Sequence, residues 1–250
     1  MAPAEPPVRI AMWSGPRNLS TALMRAWGSR ADTAVVDEPL YAFYLEQTGL
    51  DHPGRADVLA AQAADWRAVA AALTGPVPGG KPVFYQKHMA HHLLPEVGRD
   101  WLVHLNHAFL LREPRGMLAS LARVLDAPRV ADTGLPQQAE LFHRTADRLG
   151  HAPPVIDAAD VLETPAGTLR ALCAALGVAF DPAMLRWAPG PRPEDGVWAP
   201  HWYASVWRST GFEPPRPGAP PEIPARLAGV LATCERLHAE LFPYRLAAEG

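Results

Sequence analysis

Five short apolar runs, each separated from the next by a longer amphipathic stretch, restrict this chain to a small set of folds. The runs cover residues 8–13, 33–36, 83–86, 107–111 and 154–157. Helical periodicity of apolar residues marks 19–28, 58–73, 114–125, 137–149, 165–176 and 223–241. Short strands alternating with longer helices predict an α/β fold around a central, mostly parallel sheet flanked by helices. A chain of 250 residues buries a substantial core. No internal repeat and no long linker divides it, so residues 1–250 are expected to form one domain. Residues 74–82 make a turn-rich connection. Residues 186–221 lack periodicity but carry Trp187, Trp198, Trp202, Tyr203, Trp207 and Phe212. A long unpatterned segment inside a compact domain is commonly a lid or binding loop, and an aromatic C-terminal lid is expected here.

The first apolar run breaks into Ser14-Gly15-Pro16-Arg17-Asn18 and resumes as a helix. Gly15-Pro16 alone would suffice for a turn, but this turn also carries a guanidinium, an amide and the Ser20 and Thr21 hydroxyls. A helix N-terminus with free N–H groups and a positive dipole end stabilises an anion, and Arg17 adds a two-pronged donor. The alternative is an ordinary capped helix start. A second break follows the fourth run, where Arg112 emerges at the carboxyl end, Pro114 suits a first helical turn, and Ser120 lies eight residues further on. Ligands of open α/β sheets bind at such carboxyl ends. No GxxxxGK[ST] loop is present, which argues against an ordinary nucleoside-triphosphate site.

Composition narrows the partners. Hydrophobic residues make 48% and charged residues 20% of the chain, with a net charge of -3. These are globular values without a global pull toward nucleic acid or anionic membrane, so an anion site must be local. No apolar stretch approaches the roughly 20 residues of a membrane span, and the first ten residues lack the apolar core of a signal peptide. The two cysteines, Cys173 and Cys234, stand far apart and are expected to be reduced core residues. The expected compartment is the cytoplasm, and the expected partner is a small molecule. The 28 prolines are dispersed except in 213–224.

Together, SGPRNLST (14–21) and REPRGMLAS (112–120) resemble the two phosphate motifs of the sulfotransferases. These enzymes use 3′-phosphoadenosine 5′-phosphosulfate (PAPS) and release 3′-phosphoadenosine 5′-phosphate (PAP). Weaker likeness lies in VFYQKHMAHHLLP (83–95), in residues 155–180 and in VWRSTGF (206–212). The chain most resembles a divergent bacterial branch with Arg in the first loop. The resemblance implies a P-loop-like fold, PAPS as donor and no metal. It also implies that Arg17, Asn18, Leu19, Ser20 and Thr21 hold the 5′-phosphosulfate and that Arg112 and Ser120 hold the 3′-phosphate. Arg208, Ser209, Thr210 and Gly211 correspond to the loop closing on the cofactor. The usual Arg-Lys-Gly of that loop is not reproduced, and Gly211 is expected to let the backbone approach the nucleotide.

Sulfuryl transfer needs a gripped donor, charge stabilisation at the leaving oxygen and a base for the acceptor proton. Arg17 and Lys87 are the expected cations. His88, in the region that resembles a Lys-x-His motif, is the first choice of base, and Glu38, just after the second strand, is its rival. His88, His91 and His92 are spaced for one helix face, but the strand before them and Pro95 after leave little helix, which argues against a metal site. The acceptor is expected to be a small hydroxyl or amine compound. A nucleotide phosphotransferase and a non-catalytic nucleotide-binding protein are the competing readings.

Overall fold

A computed structural model of the chain describes residues 6–214 and 221–248. The first five residues of the N-terminal stretch, and residues 215–220 of the proline-rich segment and expected lid, lie outside the described residues. The five apolar runs form five parallel strands: β1 (Val8–Ser14), β2 (Thr33–Asp37), β3 (Val83–Met89), β4 (Asn106–Leu111) and β5 (Val155–Asp157). Their order is β2-β3-β1-β4-β5, with every pair parallel. The sheet is therefore wholly parallel, within a single α/β domain.

Both faces of the sheet are buried, as parallel sheets require. Ile10 and Met12 of β1 join one core with Val83, Tyr85, Ala108 and Leu110. Ala11 and Trp13 join the other with Phe84, Phe109 and Leu111. The first core is closed by α1 (Ser20–Gly28), by α2 (Tyr41–Thr48) with its neighbour α3 (Arg55–Ala61), and by others introduced below. The second is closed by α4 (Trp66–Thr74), α5 (Pro114–Leu121), α6 (Leu135–Leu149) and, at the C-terminal end, a last helix. After β5 come α7 (Ala158–Glu163) and α8 (Pro165–Ala175) on the first face, the short α9 (Ala199–Trp202) and finally α10 (Ala228–Leu241) on the second. Beyond α10, the Leu246 amide donates to the Val155 carbonyl at 2.8 Å and covers the edge at β5.

The expected helix over 58–73 is two helices, because the Asp65 carboxylate accepts from the Arg67 amide at 3.0 Å and starts α4 anew. The fifth helix ends at Leu121 and the tenth begins at Ala228, each shorter than its periodic pattern. No helix among the described residues is long and apolar enough to cross a membrane. The chain leaves β1 toward β2 on one side of the sheet, whereas β4 leads to β5 on the other. The carboxyl ends of the adjacent β1 and β4 thus flank the point where the winding reverses, where such sheets open a crevice.

Candidate functional site

That crevice is bounded by two loops that hold each other. A Cβ on Gly15 would overlap the Thr133 carbonyl, so glycine is required at the start of the first loop. The Asn18 side chain donates from Nδ2 to the Leu110 carbonyl at 3.1 Å and accepts from the Leu19 amide at 2.8 Å. Arg112, leaving β4, donates to the carbonyl of Arg17. Arg17 in turn donates from Nε to Ser120 Oγ at 3.1 Å. The two motifs separated in sequence are therefore one cluster in space.

The cluster is poised for an anion. Helix α1 starts without a capping side chain and without an acidic residue in its first turn, so its dipole is left uncompensated. Burial, and next the neighbouring Arg17 guanidinium, lower the Arg112 pKa from its ordinary value. Helix α5 differs. Glu113 accepts from the Arg115 and Gly116 amides, both at 2.7 Å. A ligand near β4 is thereby left to the Arg112 and Ser120 side chains rather than to a helix end.

Arg17 (φ 55°) and Glu38 (φ 41°) are the two non-glycine residues with positive φ among those described. Each conformation costs of order 1–3 kcal/mol and persists only where the surroundings impose it. Both residues line one cavity of about 1280 Å³, together with Asn18, Leu19, Ser20, Thr21, Lys87, Arg112, Ser120 and Arg208. A drug-sized ligand needs roughly 300–1,000 Å³, which leaves room here for a nucleotide and a second small molecule.

Lys87 anchors the floor of this cavity. Its ammonium is 1% exposed and donates to Asp37 Oδ1 at 2.7 Å and Glu38 Oε1 at 2.6 Å, and to the Tyr203 hydroxyl at 2.7 Å. All three N–H bonds are thus taken. Tyr203 donates to Asp37 Oδ2 at 2.6 Å and accepts from Trp198 Nε1 at 3.1 Å. Burial opposes the charge on Lys87, but Asp37 and Glu38 outweigh it and push the pKa well above the ordinary lysine value. For Glu38 burial dominates: despite Lys87, and helped by Asp37, it raises the carboxyl pKa. Burial and then Asp37 hold the Tyr203 phenol protonated. Glu38 keeps 11% of its side chain exposed, and Oε2 has no hydrogen-bond partner among the described residues.

His88 is not brought to the cavity. Strand β3 runs on to Met89, and successive side chains on a strand point to opposite faces, so Lys87 and His88 diverge. The His88 ring stacks on Trp13 with centroids 4.3 Å apart and its Nε2 meets Gln86 Oε1 at 3.2 Å. Burial, then His107, lowers its pKa to about 3, far from that of an efficient base near neutrality. His91 and His92 do line the cavity. Among the described residues, no three His, Cys, Asp or Glu side chains gather to hold a metal ion.

The aromatic segment after α8 is fixed rather than loose. Arg25 of α1 donates to Asp195 Oδ2 at 2.7 Å, and Trp207 Nε1 donates to the same oxygen at 3.0 Å. Within this segment Ser209 faces the cavity, but its Oγ accepts from Trp187 Nε1 at 3.1 Å and donates to the Val206 carbonyl at 2.8 Å. Thr210 lies instead on a neighbouring cleft of about 810 Å³. Gly211 borders both. A Cβ there would come within 2.9 Å of the Leu185 carbonyl oxygen, so the close approach at this glycine is to the chain's own backbone. Asp37 and Tyr203 were not singled out for the site by sequence; a carboxylate beside Glu38 was the visible signal for the first.

A wholly parallel sheet with a cluster of cationic side chains at its switch point defines an α/β protein whose candidate site lies at the carboxyl ends of the strands. The chain matches the sulfotransferase domain over residues 8–230 and belongs to that family. Two curated relatives come from Arabidopsis thaliana. Branched-chain-amino-acid aminotransferase-like protein 1 is 41% identical over 214 residues, 85% of this chain and 38% of its own length. Protein 2 of that name is 35% identical over 207 residues, 83% and 36% respectively. The chain thus spans little more than a third of each relative, and their names describe much longer proteins. Among solved structures, the fold is shared with the sulfotransferase domain of the Synechococcus PCC 7002 olefin synthase (TM-score 0.56, 18% identity, 99% of both chains). It is shared also with a sulfotransferase from Alicyclobacillus acidocaldarius (TM-score 0.53, 15% identity, 98% of both chains).

Removing one partner of a buried ion pair leaves an uncompensated charge and costs about 3–5 kcal/mol. Lys87→Met is expected to lower stability in urea unfolding by about that much, and adding Asp37→Asn to recover a large part. A loss under about 1 kcal/mol, the scale of an exposed pair, would contradict the buried network.

Proposed function

We propose that the chain transfers a sulfuryl group from PAPS to the hydroxyl of a small acceptor and releases PAP. The observation carrying this reading is the convergence of Arg17, Arg112 and Ser120 on an uncapped helix start, in one cavity with Glu38. Two phosphate-bearing positions of one nucleotide account for two cationic side chains from two strand ends. The N–H groups at the start of α1 and Arg17 take the 5′-phosphosulfate; Arg112 and Ser120 take the 3′-phosphate, and Arg208, which lines the same cavity, is a further cation for the nucleotide. In the reaction the bond from sulfur to the phosphate oxygen breaks and one from sulfur to the acceptor oxygen forms. Negative charge grows on the leaving phosphate, which preplaced cations stabilise more than the ground state.

The acceptor proton goes to Glu38. A carboxylate with a raised pKa is the better proton acceptor near neutrality, and its second oxygen has no hydrogen-bond partner among the described residues. Lys87 holds the first oxygen and is a positioning residue in this reading, with no N–H left for the donor.

PAP is expected to stabilise the fold without metal, by about 2.7 kcal/mol at a hundredfold excess over its Kd. Arg112→Ala is expected to weaken PAP by roughly 1.5–3 kcal/mol and to affect adenosine 5′-phosphosulfate far less. No stabilisation by PAP beside a magnesium-dependent one by ATP would favour a phosphotransferase instead. With an acceptor found by screening phenols, alcohols and amines, Glu38→Gln is expected to lower turnover by roughly 10²–10⁴-fold at nearly unchanged PAP affinity. His88→Ala is expected to act chiefly through stability, and the opposite ranking would return the base role to the imidazole.

A further inference from the structure

Helix α1 and the aromatic segment meet at one buried carboxylate. The Arg25 and Asp195 side chains are 2% and 4% exposed. Asp195 Oδ2 alone accepts three hydrogen bonds, from Arg25 Nη2 at 2.7 Å, from the Arg192 amide at 2.9 Å and from Trp207 Nε1 at 3.0 Å. Arg25 also reaches the Gly190 carbonyl at 3.3 Å, and the Gly190 amide donates to the Trp207 carbonyl at 2.7 Å. One guanidinium from α1 thus holds both arms of a hairpin. The base of that hairpin is the antiparallel bridge between Arg186 and Gly211, followed by the Trp187 amide on the Thr210 carbonyl at 3.1 Å.

The ion pair is enclosed but not saturated: Asp195 Oδ1 and Arg25 Nε are buried without a hydrogen-bond partner among the described residues. A buried pair bonded in this way adds little net stability over well-packed apolar side chains, so its effect lies in what it orients. Trp207 and Arg208 belong to one tight turn, Val206–Arg208. The Trp207 indole is bonded to Asp195, while Arg208 is exposed and lines the cavity. On the other side of Arg208, Ser209 Oγ accepts from Trp187 Nε1 at 3.1 Å. Arg208 itself forms no ion pair among the described residues, so its place is set by two anchored neighbours rather than by its own side chain. A loop that has to be ordered when a ligand arrives loses affinity, and anchoring it beforehand removes that loss.

Building on the sulfotransferase reading, in which Arg208 is a cation for the nucleotide, we propose that Asp195 is a positioning residue. Through Trp207 it locks the segment to α1, so that Arg208 stands at the cavity before the nucleotide binds. The helix whose start takes the anion and the turn that meets it from the aromatic segment are then one preassembled unit.

The test is a double-mutant cycle read by calorimetric titration of PAP. Trp207→Phe removes the indole N–H and keeps the ring and the ion pair. Asp195→Asn, the second variant, removes the charge opposite Arg25. Each is expected to weaken PAP about three- to tenfold. In an Arg208→Ala background the further loss is expected to shrink below about twofold, whereas in Arg112→Ala it is expected to persist in full. With PAPS and an acceptor, the KM for PAPS is expected to rise in Trp207→Phe while kcat changes less than about twofold. A merely structural role would weaken binding alike in both backgrounds. Unchanged PAP affinity in Trp207→Phe and Asp195→Asn or in Arg208→Ala, equal losses in the two backgrounds, or a fall in kcat at unchanged KM overturns the inference while PAP binding by the unaltered protein still stands. Failure of the unaltered protein to bind PAP overturns the sulfotransferase reading, and this inference falls with it.

Discussion

One buried ammonium ties together parts of the chain that are far apart in sequence. An ion as enclosed as Lys87 loses several kcal/mol of hydration, and only close, well-formed partners offset that loss. Asp37 and Glu38 supply the charge from the end of β2, and Tyr203 closes the network from 166 residues beyond Asp37. The sheet edge, the turn after β2 and the aromatic segment are consequently fixed relative to one another. The left-handed backbone of Glu38 follows from the same constraint, since its amide is held by the Lys87 carbonyl at 2.9 Å while its carboxylate turns back to the ammonium.

The second half of the site is organised by mutual support of two loops rather than by burial of charge. Asn18 and Arg112 lace the β1 and β4 loops together, leaving two guanidiniums close to each other. Glu113 caps α5 while α1 stays uncapped, so the electrostatic preference for an anion is concentrated at one helix start. A donor bridging both loops would relieve the repulsion between Arg17 and Arg112, which makes the empty arrangement and the bound one differ in energy in the direction that favours binding.

Much of this was legible in the sequence where the signal is local. All five strands stand where apolar runs stand, and the Arg17, Arg112 and Ser120 cluster follows from two motifs at strand ends. Helix α2 escaped notice because Tyr41, Ala42, Phe43, Tyr44 and Leu45 are all buried, which erases the one-sided periodicity that reveals a helix. His88 is the first choice of base by sequence because it lies in a region resembling a Lys-x-His motif and follows an expected strand end at residue 86, whereas the strand runs on to Met89. Three further strand residues fix His88 on the face opposite Lys87, and no composition or spacing rule marks where a fully buried strand stops. Tyr203 was visible only as one aromatic among six, since its pairing with Asp37 and Lys87 is a long-range contact.

The central claim, that Glu38 held by Lys87 takes the acceptor proton, is tested most directly by the pH dependence of kcat/KM, which reports the ionisation of the free enzyme. A base works deprotonated, so activity is expected to be full above the Glu38 pKa and to fall as pH falls through it. Because that pKa is raised, the midpoint of the acid limb is expected above the ordinary glutamate value of 4.5, and it should persist in His88→Ala. A midpoint at or below the ordinary value, or a limb that disappears with His88, would contradict the account.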